Sequence, residues 1–541
     1  MLVLCLTGCS AEEGASPSLA VLNARIWTGN PADPWAEALL VGGGRILVVG
    51  SSSEVRARLG GGRVVDATRR FVTPGFIDSH VHFLDGGFRL ASVQLRDASS
   101  PEEFTRRIAE FAAAAPPGSW ILGGDWDHQL WGGALPERHW IDEVTPENPL
   151  WVHRLDGHMA LANSLALEAA GVNRDTRDVE GGSIERDEDG EPTGILRDNA
   201  MELVGDVVAA PDEAMTDRAL EAAMHYVAQQ GVTSVHHMGT WEDLAAFRRA
   251  REKNALTTRI YAAVPLASWE RLRDFVAAEG RGDEWLRYGM LKGFVDGSLG
   301  SHTAAFHAPY EDQPADRGFF VNSEEDLYEW VSGADAAGLH VAVHAIGDRA
   351  NETLLDIFER VSRVNGERDR RFRIEHAQHL RREDISRFAP LGVIPSMQPY
   401  HAIDDGRWAE KVIGPLRIRT TYAFKSLLEA GAELAFGSDW FVAPPTPLEG
   451  IYAAVTRRTL DEANPDGWVP EEKIGVEDAL RAYTRAAAYA SFDEGNRGML
   501  KPGYLADFAV IDRDLTAVEP EEIRTARVVM TVVAGRIVHE N

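Results

Sequence analysis

The feature that most constrains this chain is an alternation. Through its middle, short apolar runs suited to β-strands take turns with stretches of helical periodicity. Eight such runs occur, at 71–82, 232–238, 259–265, 290–295, 340–347, 372–378, 393–399 and 434–440. Helical segments follow most of them, most clearly at 241–254, 269–278, 324–337, 351–364 and 422–430. Apolar strands joined by helical crossovers predict a parallel sheet covered on both faces. Eight of them predict closure into a (β/α)8 TIM barrel, in the α/β class.

Both ends read differently. Between 19 and 70, short β-type runs are punctuated by Gly42-Gly-Gly44, and 501–541 has the same character. The two ends are therefore expected to build one composite β-sandwich around a barrel domain of 71–500. One connection does not fit a simple barrel. About 150 residues separate the first and second strands, too many for a βα crossover. They contain strand-like runs at 120–124 and 150–153 and a hairpin signal over 184–196, turning at Asp189-Gly190. The expectation is a large insertion after barrel strand 1, an inserted lid subdomain at 83–230 over the barrel mouth.

Cysteine usage and charge narrow the function classes. The chain has two cysteines, Cys5 and Cys9, so its body can form neither a disulfide framework nor a thiolate zinc site. The opening is apolar through Cys9 and polar from Ser10 to Ser18, like the end of a bacterial lipoprotein signal peptide with Leu6-Thr7-Gly8-Cys9 as its processing site. The expectation is an exported lipoprotein of the periplasm or cell envelope, lipidated at Cys9, with 1–18 as signal and tether. The alternative is a cytoplasmic chain. No other run approaches the roughly 20 apolar residues of a membrane span, so membrane contact is expected only through that anchor. Aspartate and glutamate number 84 against 55 lysines and arginines, a net charge of −29. That balance argues against nucleic acid as a partner.

A TIM barrel carries its chemistry at the C-terminal ends of its strands. The first predicted strand ends Asp78-Ser-His80-Val-His82, with two imidazoles at i and i+2 on one side of an extended chain. The fifth ends near His344, the sixth near His376 and the eighth near Asp439, while the fourth carries Lys292, one of few lysines. Each has an ordinary reading taken alone. A strand-end histidine is commonly hydrogen-bonded structure, Asp439 can cap a helix, and Lys292 can reach solvent. Four histidines and an aspartate at four strand ends together predict a site for zinc or another divalent metal.

The surrounding phrases carry a resemblance. Val72-Thr-Pro-Gly-Phe-Ile-Asp-Ser-His-Val-His82, Asp296-Gly-Ser-Leu-Gly-Ser301, His344-Ala-Ile-Gly-Asp-Arg-Ala350, Glu375-His-Ala-Gln378, Gly437-Ser-Asp439 and Asp156-Gly-His158 resemble the amidohydrolase superfamily. The likeness is to the branch, amidohydrolase family 3, that includes N-substituted formamide deformylases. It implies a binuclear metal centre, with His80 and His82 on one ion and His344 and His376 on the other. Lys292, carboxylated by CO2, would bridge them, and Asp439 would bind the first ion and serve as the catalytic proton carrier. A single ion is the fallback if Lys292 stays free. The implied reaction is hydrolysis of a non-peptide carbon–nitrogen bond in a small-molecule amide, N-formyl and N-acyl amines among them. Cyclic amides or N-acyl amino acids are the alternative substrates, and a catalytically silent tethered binding protein is the alternative of another class. A homo-oligomer is compatible with either. Substrate-binding candidates are His158 and Arg154 in the insertion, Asp296, His302 and Trp440. His302 stands where the branch commonly has arginine, which puts specificity in question.

Overall fold

The computed structural model describes residues 16–541. The expected lipidation site at Cys9 and most of the expected tether lie outside them. Eight parallel strands form one sheet: β1 (Phe76–Val81), β2 (Val232–Met238), β3 (Arg259–Pro265), β4 (Leu286–Phe294), β5 (His340–Ala345), β6 (Arg373–His376), β7 (Ile394–Met397) and β8 (Ala435–Phe436). They pair in chain order, and a bridge from Val81 to Trp440 brings the last against the first. The expected (β/α)8 barrel is present. Strands β2 and β5 are buried along their whole length, as a sheet covered by helices requires. The helices are punctuated by their own sequence. Thr240 and Asp243 form a reciprocal cap at the start of Trp241–Glu252, and Ser323 caps Glu324–Ala336.

The run read as one strand over 71–82 is two. Phe71–Pro74 pairs antiparallel with Phe508–Ile511 near the C-terminus, whereas Phe76–Val81 enters the barrel. Gly75 is the pivot, because a Cβ there would stand 2.3 Å from Thr233 of β2. The terminal sheets contain four strands from the N-terminal segment and six drawn from both ends. They share an apolar core in which Leu19, Val21 and Leu39 meet Phe508, Val510 and Val532. A buried Arg259–Asp507 pair, with Nε to Oδ2 at 2.6 Å, ties this unit to β3.

Between β1 and β2 stands a six-stranded sheet, running from Val93–Gln94 at one edge to the hairpin Gly182–Arg186 and Pro192–Asp198 at the other. Its two faces carry separate apolar clusters, Val152 and Leu161 on one and Trp151 and Ala160 on the other, so it has its own core. The hairpin turns at Gly190 in the left-handed region, φ +81°. Residues 153–158 and Asp198 of this sheet line a cavity together with the C-terminal ends of the barrel strands. Among the described residues no helix is long and apolar enough to cross a membrane.

Candidate metal centre

The floor of that cavity is built from strand ends. Strand β1 delivers His80 and His82, β4 Lys292, β5 His344 and β6 His376, and Asp439 follows β8. One ligand atom from each of His80, His376 and Asp439 lies within 4.8 Å of the other two. Asp439 Oδ1 stands 3.3 Å from both His80 Nε2 and His82 Nε2. Lys292 Nζ is 3.4 Å from His80 Nε2, and the His344 and His376 rings are 4.5 Å apart. The structure thus brings all six residues together.

Local backbone makes this convergence possible. His376 and Asp439 both have left-handed φ, +74° and +61°. Non-glycine residues held there mark over-determined, often functional, positions. The regular strand expected over 434–440 spans only Ala435–Phe436, although Asp439 N–H still donates to His80 O at 2.7 Å. Gly437 lets β8 pass close to β1, since a Cβ would stand 2.5 Å from His80 N. Asp78 fixes that crossing by accepting Ser438 N–H at 2.8 Å and Ser438 O–H at 2.6 Å.

The chemistry of the donor set fits a divalent cation. His80 Nδ1–H donates to Glu375 Oε2 at 2.5 Å, His376 Nδ1–H to Gln398 Oε1 at 2.8 Å, and His344 Nε2–H to Gly297 O at 2.9 Å. Each imidazole is therefore tied through one nitrogen and keeps a lone pair on the other, the arrangement typical of metal-binding histidines. Asp439 Oδ1 is buried and has no hydrogen-bond partner among the described residues. An orphaned buried carboxylate oxygen is costly unless a cation satisfies it. Burial pushes the pKa values of His344 and His376 well below the ordinary imidazole range. Burial also pulls Lys292 down to about 8, against the opposing pull of Glu375 and Asp439.

The cavity above measures about 430 Å³. Residues 153–158 of the insertion roof it, beside Ser298, Leu299 and Gly300 of the loop after β4. Arg154 is buried there, pairing with Asp127 at 3.1 Å and Asp156 at 2.6 Å. His158 Nδ1–H donates to Asp198 Oδ1 at 2.6 Å, and its ring lies 5.1 Å from that of His344. Burial works against a charge on His158, but the Asp198 hydrogen bond and nearby carboxylates prevail and raise its pKa. The other three substrate candidates do not line the cavity. Asp296 is spent on backbone, accepting N–H from Ala305, Ile346 and Gly347. His302, at φ +56°, faces Asp312 at 3.1 Å, and Trp440 packs into the core against Phe83 and Tyr226.

Comparison with known proteins agrees with this geometry. Residues 63–539 match the model of the amidohydrolase family. The chain belongs to the amidohydrolase family. It is 42% identical to Protein LONG AFTER FAR-RED 3 of Arabidopsis thaliana, over 97% of this chain and 92% of that one. It is 29% identical to the N-substituted formamide deformylase of Arthrobacter pascens, over 96% and 98%. A solved uncharacterized metal-dependent hydrolase from Pyrococcus horikoshii OT3 superposes with a TM-score of 0.76 at 29% identity, over 93% of this chain and 99% of that one. This is a metal-dependent hydrolase family, and the His80–His376–Asp439 cluster is the candidate metal site of this amidohydrolase.

Sequence reading missed the residues that orient the histidines. Glu375 sits inside a quoted phrase, directly before His376, and Gln398 is the penultimate residue of the seventh predicted strand. Strand-end position alone could have nominated both. Asp198 carried no such signal, because its partnership with His158 bridges 40 residues within the insertion.

Proposed function

We propose that this amidohydrolase cleaves the non-peptide C–N bond of a small N-formyl or N-acyl amine. One or two divalent ions, zinc foremost, would be held by His80, His82, His344, His376 and Asp439. The observation that carries the reading is Asp439 Oδ1, buried, unpartnered and 3.3 Å from two imidazoles on the cavity floor. The choice of amide rests on likeness to the Arthrobacter pascens deformylase. A bound divalent cation supplies Lewis-acid chemistry, lowering the pKa of water and polarising a carbonyl. Asp439 accepts a proton from the attacking water and returns it to the leaving nitrogen. His158, held through Nδ1 by Asp198, turns Nε2 to the cavity and donates a hydrogen bond to the substrate carbonyl oxygen. Lys292, with its pKa near 8, has a neutral amine fraction that can add CO2. The carbamate would replace a buried ammonium with an anion among the ligands.

The test pairs metal analysis with a panel of N-formyl and N-acyl amines, for wild type and Asp439→Asn. The expected result is one or two metals per chain and hydrolysis that the substitution abolishes. A protein purified without chelator and carrying no stoichiometric metal would sink the proposal. Metal without hydrolysis of any panel member would remove this amide class.

A further inference from the structure

Beneath the cluster, the barrel interior holds an ion pair that the proposed reaction does not use. Arg373 and Glu375 stand two residues apart on β6, and neither side chain has any exposure. Arg373 Nε donates to Glu375 Oε1 at 2.7 Å, and Nη2 to Oε2 at 3.0 Å. Three other strands fix the guanidinium. Nη1 donates to His236 Nδ1 of β2 at 3.0 Å, and Nη2 to Ser79 O of β1 at 2.5 Å and Ser396 Oγ of β7 at 2.9 Å. A buried ion pair is a poor source of stability, since an apolar pair of similar volume often does as well. Its arrangement here points to another role. Glu375 Oε2 also accepts His80 Nδ1–H at 2.5 Å. A carboxylate can only accept, so the His80 proton must sit on Nδ1. The Nε2 lone pair then faces Asp439 Oδ1.

We propose that Arg373 and Glu375 are a positioning pair that fixes the tautomer and ring orientation of His80 and thereby sets the affinity of the centre for a divalent cation. Arg373 keeps the carboxylate charged and immobile, and Glu375 transmits that order to the imidazole. Partners that orient metal-binding histidines typically govern affinity in this way. The inference rests on the metal centre proposed above, not on the identity of the substrate.

The test is zinc affinity, measured by competition with a chromophoric chelator on the full chain. Glu375→Gln should raise the zinc dissociation constant of the folded protein about 10- to 100-fold, while the lone Arg373 charge lowers the thermal midpoint of the metal-stripped protein. Arg373→Leu/Glu375→Leu removes the acceptor without leaving a lone buried charge, so it carries the test if Glu375→Gln misfolds. The same loss is expected from it. Tyr261→Phe is the control. It deletes another interior hydrogen bond, Tyr261 to His340 Nδ1 at 3.1 Å, and should leave zinc affinity unchanged. A folded carboxylate-free variant that binds zinc within about twofold of wild type would overturn the inference. Failure of both variants to fold would also overturn it, because the pair would then be structural. Wild type binding no zinc would overturn the centre itself. Wild type binding zinc but hydrolysing no amide would overturn only the proposed reaction.

Discussion

Two histidine–carboxylate pairs serve one cavity, one buried beneath its floor and one in its roof, and they are built to different plans. Beneath the floor, His80 and Glu375 are both wholly buried, and Arg373 braces the carboxylate against three other strands. On the roof, His158 keeps 15% of its side chain open, and Asp198 Oδ2 is buried with no partner among the described residues. The floor fixes its imidazole through a braced carboxylate on Nδ1. The roof holds its imidazole by a single side-chain hydrogen bond, to Asp198. A rigid floor suits metal chemistry, and a roof borne on an inserted sheet suits substrate recognition.

The sharpest way to break this comparison is at Asp439. Asp439→Asn should lower kcat by about 10³-fold or more, because it removes both a metal ligand and the proton carrier. Steady-state turnover on the best panel amide, with metal content measured alongside, checks it. A variant retaining a tenth of wild-type kcat would show that the floor does not carry the chemistry.

The roof should behave otherwise. His158→Asn is expected to cost about 10²-fold in kcat/KM, the scale of losing one donor to a developing oxyanion, with metal content unchanged. Asp198→Asn should cost about tenfold, because the imidazole remains but loses its orientation. Metal loss in either variant would show that roof and floor are one unit.

The floor was also the more legible half. His80, His82, His344, His376 and Asp439 each fall at or near a predicted strand end, where barrel topology places chemistry, Lys292 lies within the fourth, and His80 and His82 share a face by strand periodicity. The barrel itself followed from eight apolar runs with helices between them. What the sequence hid was set by three-dimensional contact. Nothing in the run 71–82 shows that its first half pairs with 508–511, more than 430 residues away. The quoted phrases contain Trp440, Asp296 and His302 as plausibly as His158. Only packing decides that a left-handed turn at Asp439 sends Trp440 into the core, or that backbone N–H groups claim the Asp296 carboxylate.

A pH experiment sharpens the comparison within the roof. His128 is the opposite of His158, since burial and then Arg154 pull its pKa down to about 3. Its Nδ1 accepts from Arg154 Nε at 3.2 Å, which requires a neutral ring. In the unfolded chain it protonates near its ordinary value of 6.5. The folded state therefore gains its full contribution above pH 6.5 and loses it as pH falls toward 3. Between pH 7 and pH 5 wild type should lose about 2 kcal/mol more stability than His128→Asn, whose amide oxygen can still accept from Arg154. Denaturant midpoints at the two pH values measure the difference. Equal losses would mean that His128 protonates without penalty and that the roof is looser than drawn.

The smallest effect is expected at His302. Its motif position suggested substrate contact, but the left-handed backbone turns the imidazole toward Asp312 and the Tyr310 ring, whose centroid is 4.6 Å away. With no atom in the cavity wall, His302→Ala should change kcat/KM by no more than about twofold, while losing the modest stability of a partly exposed pair. A drop of tenfold or more, with metal content intact, would place His302 itself in contact with substrate, beyond Ser298, Leu299 and Gly300, which already line the cavity. The recognising wall would then reach further along the loop after β4, and the division between a chemical floor and a recognising roof would have to be drawn again there.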